Sequence, residues 1–76
     1  MRITRHCLQR MSERGVSVDD VKAALNRPVG DPGPGDRSNV VITGRAMNSK
    51  LLCVVCSEEP SEVVVVSVYW SNARER

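Results

Sequence analysis

Three basic side chains near the amino terminus, His6, Arg10 and Arg14, are spaced so that they could act together. Residues four apart lie on one face of an α-helix, so these side chains form a stripe along a single helix. A titratable imidazole beside two guanidinium groups can bind a phosphate or a carboxylate. The same spacing also suits a structural stripe, in which the arginine stems cover the border of an apolar core.

RNA cleavage without a metal ion is the chemistry that fits this stripe. The reaction needs a base for the 2′-hydroxyl, an acid for the leaving oxygen and a cation for the charge of the transition state. His6 is the candidate base or acid, and Arg10 and Arg14 are candidate phosphate ligands. Arg45 and Tyr69 complete this candidate catalytic site if the fold brings them nearby.

A structural role explains the same residues equally simply. His6 would pack in the first helical turn, and Arg10 would be an exposed neighbour of Glu13. Arg14 would close the helix, where positive charge complements the helix dipole. Trp70 also has two interpretations, as a core residue of the last strand or as a surface on which a base stacks.

The pair Cys53 and Cys56 has the spacing of some metal and redox motifs. The pair lies within an apolar run, Leu51 to Cys56, that is typical of a β-strand. Three residues apart on a strand, the two thiols point to opposite faces, and the chain has no second pair of this kind. We therefore expect no metal site and no cofactor.

Two helices are expected in the first third of the chain. Thr4 is a suitable N-cap for a helix over Arg5 to Gly15, where glycine favours termination. A second helix begins after Ser17 with a capping box that carries Asp20 in place of glutamate. It ends at about Arg27, because proline follows.

Strands are expected in the second half of the chain. The segment from Val29 to Ser38 is rich in glycine and proline and is expected to be a loop without regular structure. Ile3 would end a very short strand or only lead into the first helix, and the polar tail after Trp70 is expected to fray. Three strands follow the loop, joined by short connections that imply an antiparallel meander: Asn39 to Thr43, Lys50 to Ser57 and Glu62 to Trp70.

These elements predict an α+β fold in one domain over residues 1–76. Two N-terminal helices pack on an antiparallel sheet of three strands, or four if Ile3 contributes one. Strict alternation places Val65 on one face of the last strand and Val64, Val66 and Val68 on the other. Both faces are thus apolar, whereas two helices cover only one. We expect a partner chain or a second copy on the other face, since the tail is too polar to seal it.

Composition indicates a cytoplasmic protein with a mild charge. The formal net charge is +2, and Lys22 and Lys50 are the only lysines among eleven basic residues. Arginine suits bidentate contacts to phosphate, although a GC-rich genome gives the same bias. An odd number of cysteines and the absence of a signal peptide point to a reducing compartment. Apolar runs such as Val63 to Val66 are too short to span a membrane, so no membrane partner is expected.

Several of these residues resemble a known family. Arg5-His6, Arg10-Met11 and the run from Glu13 to Ser17, together with the closing strand from Val66 to Trp70, resemble the small bacterial domain of unknown function 4258. A more distant similarity, through Gly15-Val16-Ser17 and the following acidic residues, connects the chain to BrnT-type toxins of the RelE-like fold.

The resemblance implies two helices on a small antiparallel sheet. The distant similarity implies a toxin that cleaves RNA and is neutralised by an antitoxin, although a shared fold does not by itself carry function. The chain departs from the toxins because it lacks a densely basic sheet face. A toxin-type ribonuclease is therefore one expectation, and a non-enzymatic interaction module or homodimer is the alternative.

Overall fold

A computed structural model describes residues 1–35, 39–59 and 62–71 of the chain. The elements are, in order, β1 (Arg2–Ile3), α1 (Arg5–Arg14), α2 (Val18–Asn26), β2 (Gly33–Pro34), β3 (Val40–Arg45), β4 (Leu51–Glu58) and β5 (Val63–Trp70). The predicted fraying of the tail after Ser71 and the end of the predicted glycine- and proline-rich loop lie outside the described residues.

Helix α1 forms where its caps predict it. The Thr4 hydroxyl accepts a hydrogen bond from the Cys7 amide at 3.1 Å, which satisfies one of the free donors of the first turn. Gly15 ends the helix in the left-handed region, with φ of 67°, and its amide donates to the Met11 carbonyl. Cys7 and Met11 are the residues that this helix buries.

Helix α2 begins with a complete capping box. The Asp20 amide donates to the Ser17 hydroxyl and the Ser17 amide donates to the Asp20 carboxylate, both at 3.0 Å. Aspartate therefore replaces the usual glutamate without loss of either hydrogen bond. The helix buries Val21, Ala23 and Ala24 and ends before Pro28, as predicted.

The sheet has five strands in the order β1-β5-β4-β3-β2. The central meander of β3, β4 and β5 is antiparallel, which confirms the predicted topology. The predicted count of three or four antiparallel strands is wrong, because β1 pairs with β5 in parallel and β2 adds a fifth strand. Both additional strands are two residues long, so neither has the alternation by which a sequence signals a strand.

The segment expected to lack regular structure contains strand β2. Gly33 and Pro34 pair with Val41 and Val40 at the edge of the sheet. Proline is tolerated on an edge strand, where its missing N–H removes no bond from the interior of the ladder.

A β-bulge in β5 changes which valines face the helices. Cys56 is paired with Val65 and Val55 with Ser67, so Val66 is the additional residue on β5. Strict alternation was the wrong prediction here, since Val65 and Val68 both join the core with no exposed surface.

The core lies between the two helices and one face of the sheet. Helix α1 packs against β5, and α2 packs against β3 and β4. Leu52, Val54 and Val65 are fully buried there, and Leu25 packs against the same cluster. Neither α1 nor α2, the helices that the structure describes, packs on the other face of the sheet.

Candidate functional site

His6 and Arg10 lie on the exposed surface of α1. The Arg10 guanidinium forms an ion pair with Glu13, with Nη1 and Oε1 separated by 3.3 Å. Both side chains of this pair are about half exposed, and an exposed pair of this spacing contributes little to stability. The arrangement is that of neighbouring charges on a solvated helix surface.

Arg14 is also exposed, but unlike Arg10 its side chain contacts the edge of the sheet. Its Nη1 donates to the Val68 carbonyl at 2.5 Å, and the indole Nε1 of Trp70 donates to the Arg14 carbonyl at 2.8 Å. Trp70 also packs against the core. These reciprocal bonds connect the C-terminus of α1 to β5.

Arg45 and Tyr69 lie on the sheet face that points away from the helices. Each is flanked on its strand by residues that face the core: Gly44 and Ala46 beside Arg45, and Val68 and Trp70 beside Tyr69. The guanidinium of Arg45 donates from Nη1 to the Ser49 carbonyl at 2.8 Å, within the turn between β3 and β4.

The five candidate residues are therefore divided between two surfaces. The structure places His6, Arg10 and Arg14 on α1, and places Arg45 and Tyr69 across the sheet from them. The sheet separates the imidazole from the phenol, so the five side chains do not form one constellation.

We call the surface that carries Arg45 and Tyr69 the open face. Its members on the three long strands are given by alternation and register: Val41, Thr43, Arg45, Leu51, Cys53, Val55, Ser57, Val64, Ser67 and Tyr69. Most of these side chains are half-buried by their neighbours within the sheet alone.

Three of these side chains form a row across the open face. Thr43 is paired with Cys53 and Cys53 with Tyr69, and the Thr43 hydroxyl lies 3.4 Å from the Cys53 sulfur. Burial raises the pKa of Tyr69, and the neighbouring Cys53 raises it further. The phenol is therefore neutral at physiological pH and acts as a hydrogen-bonding aromatic group, not as a base.

A concavity of about 450 Å³ opens beside this row. It is lined by Pro34, Gly35, Asn39, Val41, Val55, Val66, Ser67 and Tyr69. The lining side chains that the structure describes carry no charge, so they offer no cationic contact to a phosphate.

The sheet edge at β5 is already occupied. Strand β1 pairs with Val64 and Val65, and the Thr4 amide donates to the Val65 carbonyl at 3.1 Å. Further along, the Arg14 side chain satisfies the Val68 carbonyl. These contacts leave little of the edge open for pairing with another strand.

The edge at β3 is covered by backbone from two segments. Strand β2 pairs with the start of β3, the Val29 amide donates to the Thr43 carbonyl at 2.7 Å, and the Arg45 amide donates to the Arg27 carbonyl at 3.2 Å. Both edges are thus engaged over most of their length, whereas neither described helix packs on the open face.

The two cysteines of β4 lie on opposite faces of the sheet. Cys56 lies in the core and Cys53 on the open face, as their spacing predicted, and neither forms a disulfide. Within the described residues, no group of three histidine, cysteine or acidic side chains is arranged to hold a metal ion. In the same part of the chain, neither helix has the length and apolar content that crossing a bilayer requires.

Comparison with known proteins assigns the family. Residues 3–70 match the model of the family described as Domain of unknown function (DUF4258). This range contains every helix and strand that the structure describes except the first residue of β1, so the chain belongs to that family. No curated protein and no solved structure matches the chain significantly.

The concavity and the Thr43–Cys53–Tyr69 row were not found by sequence reasoning. The row depends on the register of three strands, and the position of Ser67 depends on the bulge at Val66. The only sequence signal was the lack of alternation in the strands, which predicted a second apolar face but not its composition.

Proposed function

We propose that this domain is a non-enzymatic interaction module whose open face binds another protein chain. The partner is an antitoxin-like protein or a second copy of the domain, and the complex forms in the cytoplasm of a bacterium. The observation that supports this proposal is the largely apolar open face, which neither of the two described helices covers.

The charges support a protein partner over RNA. Among the described residues of the three long strands, Arg45 is the only charged side chain on the open face, and it is engaged by the Ser49 carbonyl. Arg2 on β1 is paired with Val64 on the same side of the sheet, and its guanidinium forms an ion pair with Glu62. Nucleic acids are bound chiefly through several cationic contacts to phosphate. A face of valine, leucine and neutral polar side chains instead has the composition of the centre of a protein interface.

The proposal is tested by a charge placed on the open face and a matched charge on the helices. Val41→Lys alters the open face, and Leu8→Lys alters an exposed position on α1. The tagged variants are co-expressed with the product of the neighbouring gene, and complexes are measured by light scattering. We expect Val41→Lys to lose the partner or the dimer and Leu8→Lys to keep it.

A wild-type chain that stays monomeric at high concentration and retains no neighbouring gene product contradicts the proposal. Equal loss of the complex in both variants also contradicts it, because binding would then not depend on the open face.

Ribonuclease activity of the toxin type is the second candidate function. One observation favours it: Arg45 and Tyr69, which were candidate catalytic residues, share the open face and supply a cation and a neutral phenol there. The distant similarity to BrnT-type toxins points the same way, with an antitoxin as the partner that covers this face.

Expression of the wild-type chain in a bacterial host tests this second candidate. A ribonuclease arrests growth and degrades RNA, and Tyr69→Phe reduces both effects if the phenol acts as an acid. His6→Ala leaves them unchanged if the open face is the site, because His6 lies across the sheet. Normal growth with intact RNA at high soluble expression excludes the activity.

A further inference from the structure

We propose that the concavity on the open face is the pocket for an uncharged aromatic side chain, tryptophan or tyrosine, presented by a different protein chain. This inference rests on the proposed function and specifies the chemistry of the partner. It is argued from the charge, the walls and the polar groups of the concavity.

Charge favours a neutral occupant. Each of the eight lining residues that the structure describes is uncharged. A carboxylate, an ammonium or a phosphate placed there would lose its water without gaining an ionic partner. The occupant that matches these walls is therefore a neutral group.

The walls of the concavity suit a ring. Val41 and Val55 are paired on adjacent strands and form an apolar floor, with Pro34 at one side and Tyr69 at the other. An aromatic ring buries a large apolar surface against such a floor and packs favourably against the tyrosine ring in an offset or edge-on arrangement. Aromatic anchors of this type dominate the affinity of many protein interfaces.

Two polar side chains favour a ring with a polar edge. Among the residues that the structure describes, neither the Asn39 amide nor the Ser67 hydroxyl forms a side-chain hydrogen bond, although both residues are half-buried. An indole N–H or a phenol O–H can bond to these groups, whereas an aliphatic side chain would leave them without water and without a partner.

The aromatic side chain must come from a different protein. Tyr69 and Trp70 are the only aromatic residues of this chain. Trp70 packs against the core and donates to Arg14, and Tyr69 is itself a wall of the concavity, beside Cys53. A second copy therefore has no further aromatic side chain to insert.

The test uses the full chain and small mimics of single side chains. The probes are N-acetyl-tryptophanamide, N-acetyl-tyrosinamide, N-acetyl-leucinamide and adenosine, each titrated into isotopically labelled protein while amide chemical shifts are recorded. We expect the two aromatic amides to shift the resonances of Val55, Val66 and Ser67 at millimolar concentration. The leucine amide should produce much smaller shifts.

Two serine variants provide a matched comparison. Ser67→Leu fills the concavity, and Ser57→Leu adds the same side chain on the same face outside the lining. We expect the aromatic probes to lose their effect on Ser67→Leu and to keep it on Ser57→Leu.

Three results of the titrations overturn the inference. These are no shifts with either aromatic amide, equal shifts in both serine variants, or tighter binding of adenosine, which would assign the pocket to a nucleobase. A dimer of the wild-type chain that dissociates in Tyr69→Ala would also overturn it, by identifying the second copy as the occupant. Failure of the probes while Val41→Lys still abolishes a complex would reject this inference alone and leave the proposed function standing.

Discussion

At the scale of single residues, Arg10 and Arg14 show how the same side chain type serves different purposes one helical turn apart. Arg10 forms an exposed ion pair with Glu13. The Arg14 side chain donates to the Val68 carbonyl, and the Arg14 carbonyl accepts a hydrogen bond from the Trp70 indole. Helical spacing predicted that both face one side of α1. It did not predict that Arg14, and not Arg10, would reach the edge of β5.

We expect Arg14→Ala to destabilise the domain by about 1–2 kcal/mol, because a charge-assisted hydrogen bond is lost and the Val68 carbonyl is left without it. Arg10→Ala is the matched control and should change stability by less than about 0.5 kcal/mol. Urea unfolding of both variants measures the difference. Equal effects would show that the contact with β5 contributes nothing.

Asp20 makes stability depend on acid pH. Its carboxylate accepts from the amides of Ser17 and, in the turn after β3, Met47 at 3.1 Å. The hydrogen bond from Ser17 is the larger cause that lowers the pKa of Asp20. A lowered pKa in the folded state stabilises the protein above the ordinary pKa of aspartate and loses this contribution as pH falls through the folded value.

We therefore expect wild-type stability to fall below about pH 4 more steeply than that of Asp20→Asn. Asp19→Asn, at the neighbouring exposed position, should retain the wild-type slope. Thermal unfolding between acidic and neutral pH checks the comparison, and parallel curves for wild type and Asp20→Asn would rule out this role.

At the scale of elements, the contact between α2 and β3 depends on one glycine. A Cβ atom added to Gly44 would lie 1.9 Å from the Ala24 carbonyl oxygen. The backbone of the helix therefore lies directly against the strand, a distance that no side chain at this position permits.

We expect Gly44→Ala to cost about 3 kcal/mol or more, because α2 must move away from the sheet. Gly33→Ala is the control, since a Cβ there meets no atom within 4 Å. Chemical denaturation of the two variants gives the comparison. A mild effect of Gly44→Ala would mean that α2 packs elsewhere.

Caps and long apolar runs could be predicted from the sequence because their signals are local. Thr4, Gly15 and the Ser17 capping box fix both helices, and the runs around Val54 and Val65 fix two of the strands. Strand β2 and the bulge at Val66 could not be predicted from the sequence, because both depend on pairing with a neighbour distant in sequence. The candidate site failed to assemble for the same reason: helical spacing groups His6 with Arg10, but only the sheet register decides where Tyr69 lies.

At the scale of the whole molecule, the sheet divides the domain into a sealed side and an open side. Cys7 and Cys56 lie on the sealed side with 0% and 3% exposure, and Cys53 lies on the open side with 7%. The exposed fractions of the three cysteines differ little, but different parts of the fold surround them. Cys7 and Cys56 lie in the core between the helices and the sheet, whereas Cys53 lies beside its paired neighbours Thr43 and Tyr69 on the face without a described helix.

Thiol labelling of the native protein should report this division. We expect Cys53 to react through small side-chain movements, and Cys7 and Cys56 only through larger openings that displace a helix. Mass spectrometry of the labelled protein then shows one fast modification that Cys53→Ser removes. A bound partner should slow that modification and leave the other two unchanged, because it covers the open face alone. Equal rates for Cys53 and Cys56 would show that the two faces of the sheet are equally sealed, and the case for a partner on the open face would fail.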